Sequence, residues 1–225
     1  MIRKWSLHWL YDVLLKAYGL QGWWPGDREP LAVCLGALLV QRTTWHNASN
    51  ALDGLAKADM LCLEALDACP TPQLSERIRS VGFHNAKAAK LKAFAEYMLN
   101  RWGGSFALAK QSPRNQLREE LLEVHGIGPE TADAMLTYAF GIPSFVIDAY
   151  TRRILRRIGW IDGEASYPAL QETFEAGLPQ DVAYYGEYHA LLVEHAKRHC
   201  RKTPWCGNCP LEADCASVHG KGQRP

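Results

Sequence analysis

The chain has 225 residues, 48% of them hydrophobic and 22% charged, and its 25 basic side chains nearly cancel its 24 acidic ones for a net charge of +1. Such a balance excludes a uniformly basic coat, and the length suffices for one large core or two small ones. Any highly charged partner must therefore meet a local patch.

From the N-terminus, apolar positions recur about every 3.6 residues over 5–19, 31–41, 46–58, 73–80, 85–101, 114–123, 129–140, 149–159, 167–176 and 182–199. Glycine and proline punctuate the gaps, no alternating stretch predicts a strand, and no repeat of solenoid length occurs. The expected fold class is all-α, built from short helices and short loops. Cys34 lies in the apolar run 31–40 and reads as a core residue. Lys87, Lys90 and Lys92 fall on the 85–101 helix, where solvent-facing charge is the expectation. No stretch has the layout of a signal peptide, and no apolar run is long enough for a bilayer. The cytoplasm is the expected compartment, Cys34, Cys62 and Cys69 are expected to stay reduced, and a membrane is not an expected partner.

Residues 121–135 read LLEVHGIGPETADAM. One helix ends, the chain turns through Gly126, Ile127 and Gly128, and Pro129 opens the next helix at its favoured first position. Backbone N–H groups at such a turn can meet an anion, a DNA phosphate among them, although a plain helix–helix turn gives the same pattern. Twenty residues past Gly128 comes Asp148, ahead of a helix in which Arg152, Arg153, Arg156 and Arg157 alternate with Ile154, Leu155 and Ile158. Asp is a preferred N-cap. A carboxylate fixed at a helix N-terminus also stays ionised, and could activate water or stabilise a sugar oxocarbenium ion.

Near the C-terminus Cys200, Cys206, Cys209 and Cys215 follow a C-x5-C-x2-C-x5-C spacing. Thiols clustered in this way point to a metal centre and not to disulfides. A loop around an iron–sulfur cubane and a structural zinc site both remain open on spacing alone.

The glycine hairpin, VIDAYTRRI at 146–154 and the cysteine loop together resemble the helix-hairpin-helix DNA glycosylases of the endonuclease III superfamily. Residues 38–41 and 78–88 fall in the family's order as well. The resemblance implies two helical domains with a DNA groove between them: a helical barrel over 25–142, and a cluster-bearing domain over 1–24 and 143–225. It implies a monomer acting on double-stranded DNA with damaged bases, in the cytoplasm at the nucleoid. The damaged base is flipped out and cut from its sugar, with Asp148 as the catalytic aspartate. Cys200, Cys206, Cys209 and Cys215 become ligands of a [4Fe–4S] cluster, although the first gap is x5 where the family has x6.

Members that also cleave the abasic strand carry a lysine just after the hairpin, whose amine forms a Schiff base. That place is Glu130 here, which implies a monofunctional enzyme with water as nucleophile. Glu130 either assists the water and shapes the pocket or is a first-turn acid favoured by the helix dipole. Gly22-Trp23-Trp24-Pro25-Gly26 and the 41–45 stretch QRTTW are similar to the 3-methyladenine glycosylases of endonuclease III type. That branch implies a pocket in which Trp24 and Trp45, with Trp23 and Pro25 beside them, sandwich an electron-poor alkylated purine. Paired tryptophans as core anchors are the competing reading. Gln41 matches the residue that fills the gap left by the flipped base. Arg152, Arg153, Arg156, Lys197, Arg198, Arg201 and Lys202 are the expected phosphate contacts, joined at the hairpin by Gly126, Ile127 and Gly128. His199 reads as a spectator or as a donor to a cluster sulfur. Three functions follow: a glycosylase for alkylated purines, one for oxidised pyrimidines with weak or no lyase activity, and a DNA-binding homologue without catalysis.

Overall fold

The structure is a computed structural model that describes residues 6–22, 28–161, 163 and 165–219. Among these the elements are helices and loops, and no helix is long and apolar enough to cross a membrane. The chain divides into two compact units, Asp27–Ile142 and Met1–Gly26 with Pro143–Pro225. Each has its own apolar cluster.

The unit Asp27–Ile142 holds α2 (Pro30–Leu39), α3 (Trp45–Lys57), α4 (Leu63–Ala68), α5 (Thr71–Arg77), α6 (His84–Trp102), α7 (Phe106–Ala109), α8 (Arg114–Glu123) and α9 (Pro129–Tyr138). Helix α2 is apolar on all sides and buries every residue from Val33 to Leu39, so it forms the centre of this unit. Pro30 starts it, because its missing N–H is not needed in a first turn. Helices α3, α6 and α9 pack on it. Across the hairpin, Arg118 of α8 meets Asp133 of α9 in a two-pronged pair, Nε to Oδ1 at 2.8 Å and Nη2 to Oδ2 at 3.0 Å. Asp133 is fully buried, so this brace sets how the two hairpin helices lie.

The other unit holds α1 (Leu7–Tyr18), α10 (Ala149–Arg157), α11 (Tyr167–Gly177), α12 (Val182–Arg198) and α13 (Ala216–His219). Ser6, Asp148, Ser166 and Asp181 cap α1, α10, α11 and α12 through their side-chain oxygens. Helix α12 packs against α1 and α10, and the buried Tyr188 hydroxyl donates to the Leu7 carbonyl at 2.8 Å.

Periodicity found the long helices and missed the short ones. α4, α7 and α13 span four to six residues, too few for a helical stripe to stand out. The stretch expected as one helix over 73–80 is α5 followed by a 3-10 turn at Arg79–Val81. Phe83 then starts α6 from a left-handed backbone, φ 48°.

Candidate active site

Asp148 follows the buried stretch Phe145, Val146 and Ile147 and is itself 8% exposed. Its Oδ1 accepts from the Thr151 backbone N–H at 2.7 Å and from the Thr151 hydroxyl at 2.8 Å. Its Oδ2 lies 3.6 Å from Nε2 of His189 on α12. Burial alone would push the Asp148 carboxyl up, but His189 and the two Thr151 donors outweigh it and hold the group below the usual carboxylate range. The carboxylate is therefore ionised, immobile and nearly dry. Sequence reasoning missed His189; the only signal for it is a polar residue within the apolar stripe of Tyr185, Tyr188 and Leu192.

In the unit Asp27–Ile142, a cleft of about 520 Å³ is lined by Gln41, Arg42, Phe83, Lys87, Lys90, Gly126, Gly128, Glu130 and Thr131, with Ala86. Glu130 stands exposed in the first turn of α9. Gln41 donates to the Gly126 carbonyl and the Thr131 hydroxyl, both at 3.1 Å, and accepts from Lys90 Nζ at 2.5 Å. Gly126 has φ +87°, and a Cβ there would sit 2.3 Å from Lys90 Cγ, so both backbone and space demand glycine. Ile127 is buried at 5% exposure and anchors the turn.

The lysines of α6 correct the expectation of solvent-facing charge. Lys87 is 2% exposed and donates to the Val81 carbonyl at 2.9 Å. Burial, then the charge of Lys90, pulls its pKa down. Lys92 donates to the Cys69 carbonyl at 2.7 Å and to Leu66 and Asp67 as well, capping α4. The reason is packing: α4 and α5 close over α6 and present free carbonyls to it. Sequence reasoning also missed Phe83, a 66% exposed aromatic at the cleft. Arg42 (φ 56°) and Phe83 both hold left-handed backbone there, strain of about 1–3 kcal/mol each that clusters at working sites.

Trp45 is half-buried on Gly36, whose added Cβ would meet the indole at 3.1 Å, and Arg28 lies 5.3 Å from its ring centre. Trp23, Trp24 and Pro25 lie outside the described residues.

The basic residues divide by what they already hold. Arg152 donates to the Ala165 carbonyl and Arg153 to the Cys200 carbonyl, each at 2.7 Å. Arg157 donates to Cys200 Sγ at 3.4 Å and to the Arg201 and Lys202 carbonyls at 2.5 and 2.9 Å. Arg198 pairs with Glu194 at 2.5 Å, and Arg201 donates to the Lys197 carbonyl at 2.8 Å. Arg156, Lys197 and Lys202 are exposed.

The arginines of α10 thus clamp the cysteine loop. Burial, with the negative potential of Cys215, Cys206 and Cys200, pushes the Cys209 thiol up to about 11. Among the described residues no three His, Cys, Asp or Glu side chains gather tightly enough for a single metal ion. His199 is buried; its Nδ1 faces the Trp205 carbonyl at 3.1 Å and its ring stacks on Trp205.

Residues 35–180 match the profile of the HhH-GPD superfamily base excision DNA repair protein. The chain belongs to the HhH-GPD superfamily. It is 42% identical over 209 residues to a candidate DNA repair glycosylase of Methanocaldococcus jannaschii, covering 92% of this chain and 94% of that one. An endonuclease III of Thermotoga maritima is 26% identical over 88% of this chain and 87% of its own length. Among solved structures, an endonuclease III–DNA complex gives a TM-score of 0.82 at 22% identity over 97% of both chains. The Helicobacter pylori 3-methyladenine DNA glycosylase bound to 1,N6-ethenoadenine gives 0.75 at 29% identity over 86% of this chain and 98% of that one. The protein is therefore an all-helical base excision DNA repair glycosylase of the HhH-GPD family, with the fold of endonuclease III.

Proposed function

We propose that this HhH-GPD protein is a monofunctional DNA glycosylase favouring alkylated purines in double-stranded DNA. It acts as a monomer in the cytoplasm, at the nucleoid. The observation that carries the reading is Asp148: a nearly buried carboxylate kept ionised, with one oxygen tied down by Thr151. Such a group stabilises the oxocarbenium ion as the base departs, or takes the proton of the attacking water. Glu130 supports monofunctional chemistry, since a carboxylate forms no imine with the sugar. The likeness to a 3-methyladenine glycosylase with ethenoadenine bound supports the purine preference. Trp45 is the described member of the aromatic set, and stacking on indole suits an electron-poor base.

The Gly126–Gly128 turn takes a DNA phosphate, the exposed Arg156 and Lys202 are further phosphate contacts, and Gln41 fills the vacated place in the duplex. Cys200, Cys206, Cys209 and Cys215 would hold a [4Fe–4S] cluster. Burial and the neighbouring sulfurs push the Cys209 and Cys215 thiols up, and such a crowd of thiols suits a cationic centre. When bound, the cluster supplies a cross-link that fixes the loop beside Lys197 and Lys202 and takes no part in base release.

A lesion panel tests the proposal: duplexes with 3-methyladenine, 7-methylguanine, thymine glycol, a uracil mismatch or an abasic site, with and without alkali afterwards. The expected result is release of alkylated purines, with strand scission only after alkali. Covalent trapping by borohydride would overturn the monofunctional reading, and preferred release of thymine glycol the purine reading. No release from any duplex would leave a DNA-binding protein without catalysis. A yellow-brown preparation with broad visible absorbance is expected; a colourless one with stoichiometric zinc would refute the cluster.

A further inference from the structure

The N-cap role of Asp148 uses one oxygen. Thr151 supplies both its backbone N–H and its hydroxyl to Oδ1, which is all that starting α10 requires. Oδ2 is left for other work, and the side chain that approaches it, at 3.6 Å, is His189. This contact comes from a different helix, α12, which packs on α10 within one apolar cluster. The two side chains are similarly deep, 14% exposed for His189 and 11% for Asp148. A polar ring placed there is surplus to helix capping and costs desolvation.

We infer that His189 is a positioning residue for base release: its Nε2 fixes Oδ2 of Asp148 and holds the carboxylate aimed and ionised as positive charge develops on the sugar. The inference rests on Asp148 being the catalytic carboxylate. Geometry first supports it, since two donors on one oxygen leave the carboxyl free to pivot about that oxygen, whereas an imidazole nitrogen 3.6 Å from the other, within reach of a hydrogen bond on a small shift, limits that pivot. Electrostatics agrees: against burial, the His189 contribution leads those that lower the Asp148 pKa, ahead of the Thr151 donors. The neighbouring Arg152 is already held by the Ala165 carbonyl. The bland alternative is that His189 merely ties α12 to α10.

Three variants of the full-length protein separate these. In single-turnover assays on the lesion duplex that wild type releases fastest, His189→Leu should slow base release by about 10- to 100-fold, the worth of one hydrogen bond to a charged group. Its affinity for a duplex carrying a tetrahydrofuran abasic analogue should stay within about 2-fold, a change too small to matter against that loss. His189→Gln, which keeps a donor, should recover most of the rate. Asp148→Asn should abolish release. By carbon-detected NMR of labelled aspartate, the Asp148 carboxyl should titrate at higher pH in His189→Leu than in wild type, and this readout needs no activity.

A His189→Leu protein with wild-type rate and an unmoved Asp148 titration would overturn the inference while leaving the role of Asp148 intact. Equal losses in the Leu and Gln variants, tracking a lower melting temperature, would reduce His189 to a structural tie. An active Asp148→Asn protein would instead overturn the reading beneath it.

Discussion

Asp148 and Glu130 stand at the starts of two helices, each after a non-helical approach, yet their surroundings differ. Asp148 caps α10 from a buried position, with Thr151 and His189 on its oxygens. Glu130 lies in the first turn of α9, exposed at a cleft shared with Lys90 and Gln41. Both gain from the helix dipole. Burial and fixed donors hold one ionised and in place, as the proposed reagent must be, while the other stands exposed in its first turn, where the proposed chemistry needs only that it is not a lysine. Position along a helix therefore does not assign a role; what closes over the side chain does.

The strongest way to break this contrast is Asp148→Asn, which should reduce base release by about 10²–10⁴-fold, the usual worth of a positioned acid or base. The pH dependence follows from the depressed Asp148 pKa. Its stabilising contribution is complete above the ordinary aspartate value of about 3.9 and is lost as pH falls through the lower folded value. Base release should accordingly show no acid limb from Asp148 above that ordinary value, and the gap in stability between wild type and Asp148→Asn should close only in stronger acid.

Next in size, Arg118→Ala takes the two-pronged partner from the buried Asp133 and should cost about 3–5 kcal/mol in denaturant unfolding. Such a loss would show that the hairpin, too, rests on a dry charge, though one without chemistry. Gly126→Ala should cost about 1–3 kcal/mol through its left-handed backbone alone. It should also evict Lys90 from the turn and lower affinity for undamaged duplex, measured by fluorescence anisotropy. Smallest of all, Glu130→Ala should lower stability by only about 0.3–1 kcal/mol through the lost dipole interaction; a larger fall in a thermal melt would mean that Glu130 is far less solvated than its exposure shows.

By itself the sequence determined what depends on near neighbours. The helical periodicity, Asp148 three residues ahead of its backbone donor, the hairpin glycines with Pro129 behind them, and the cysteine spacing are all local relations, readable without a fold. Tertiary structure decided the pairings that cross helices. Nothing near Lys87 in the chain announces that it is buried, because α5 and the turn before Phe83 close over it only once folded. Lys90 reaches Gln41 across 49 residues, and Arg153 reaches the Cys200 carbonyl across 47. His189 meets Asp148 because α12 packs on α10. A cap is set by backbone geometry within one turn, whereas a buried charge finds its partner only through the packing of whole helices, and that packing is where this site acquires its chemistry.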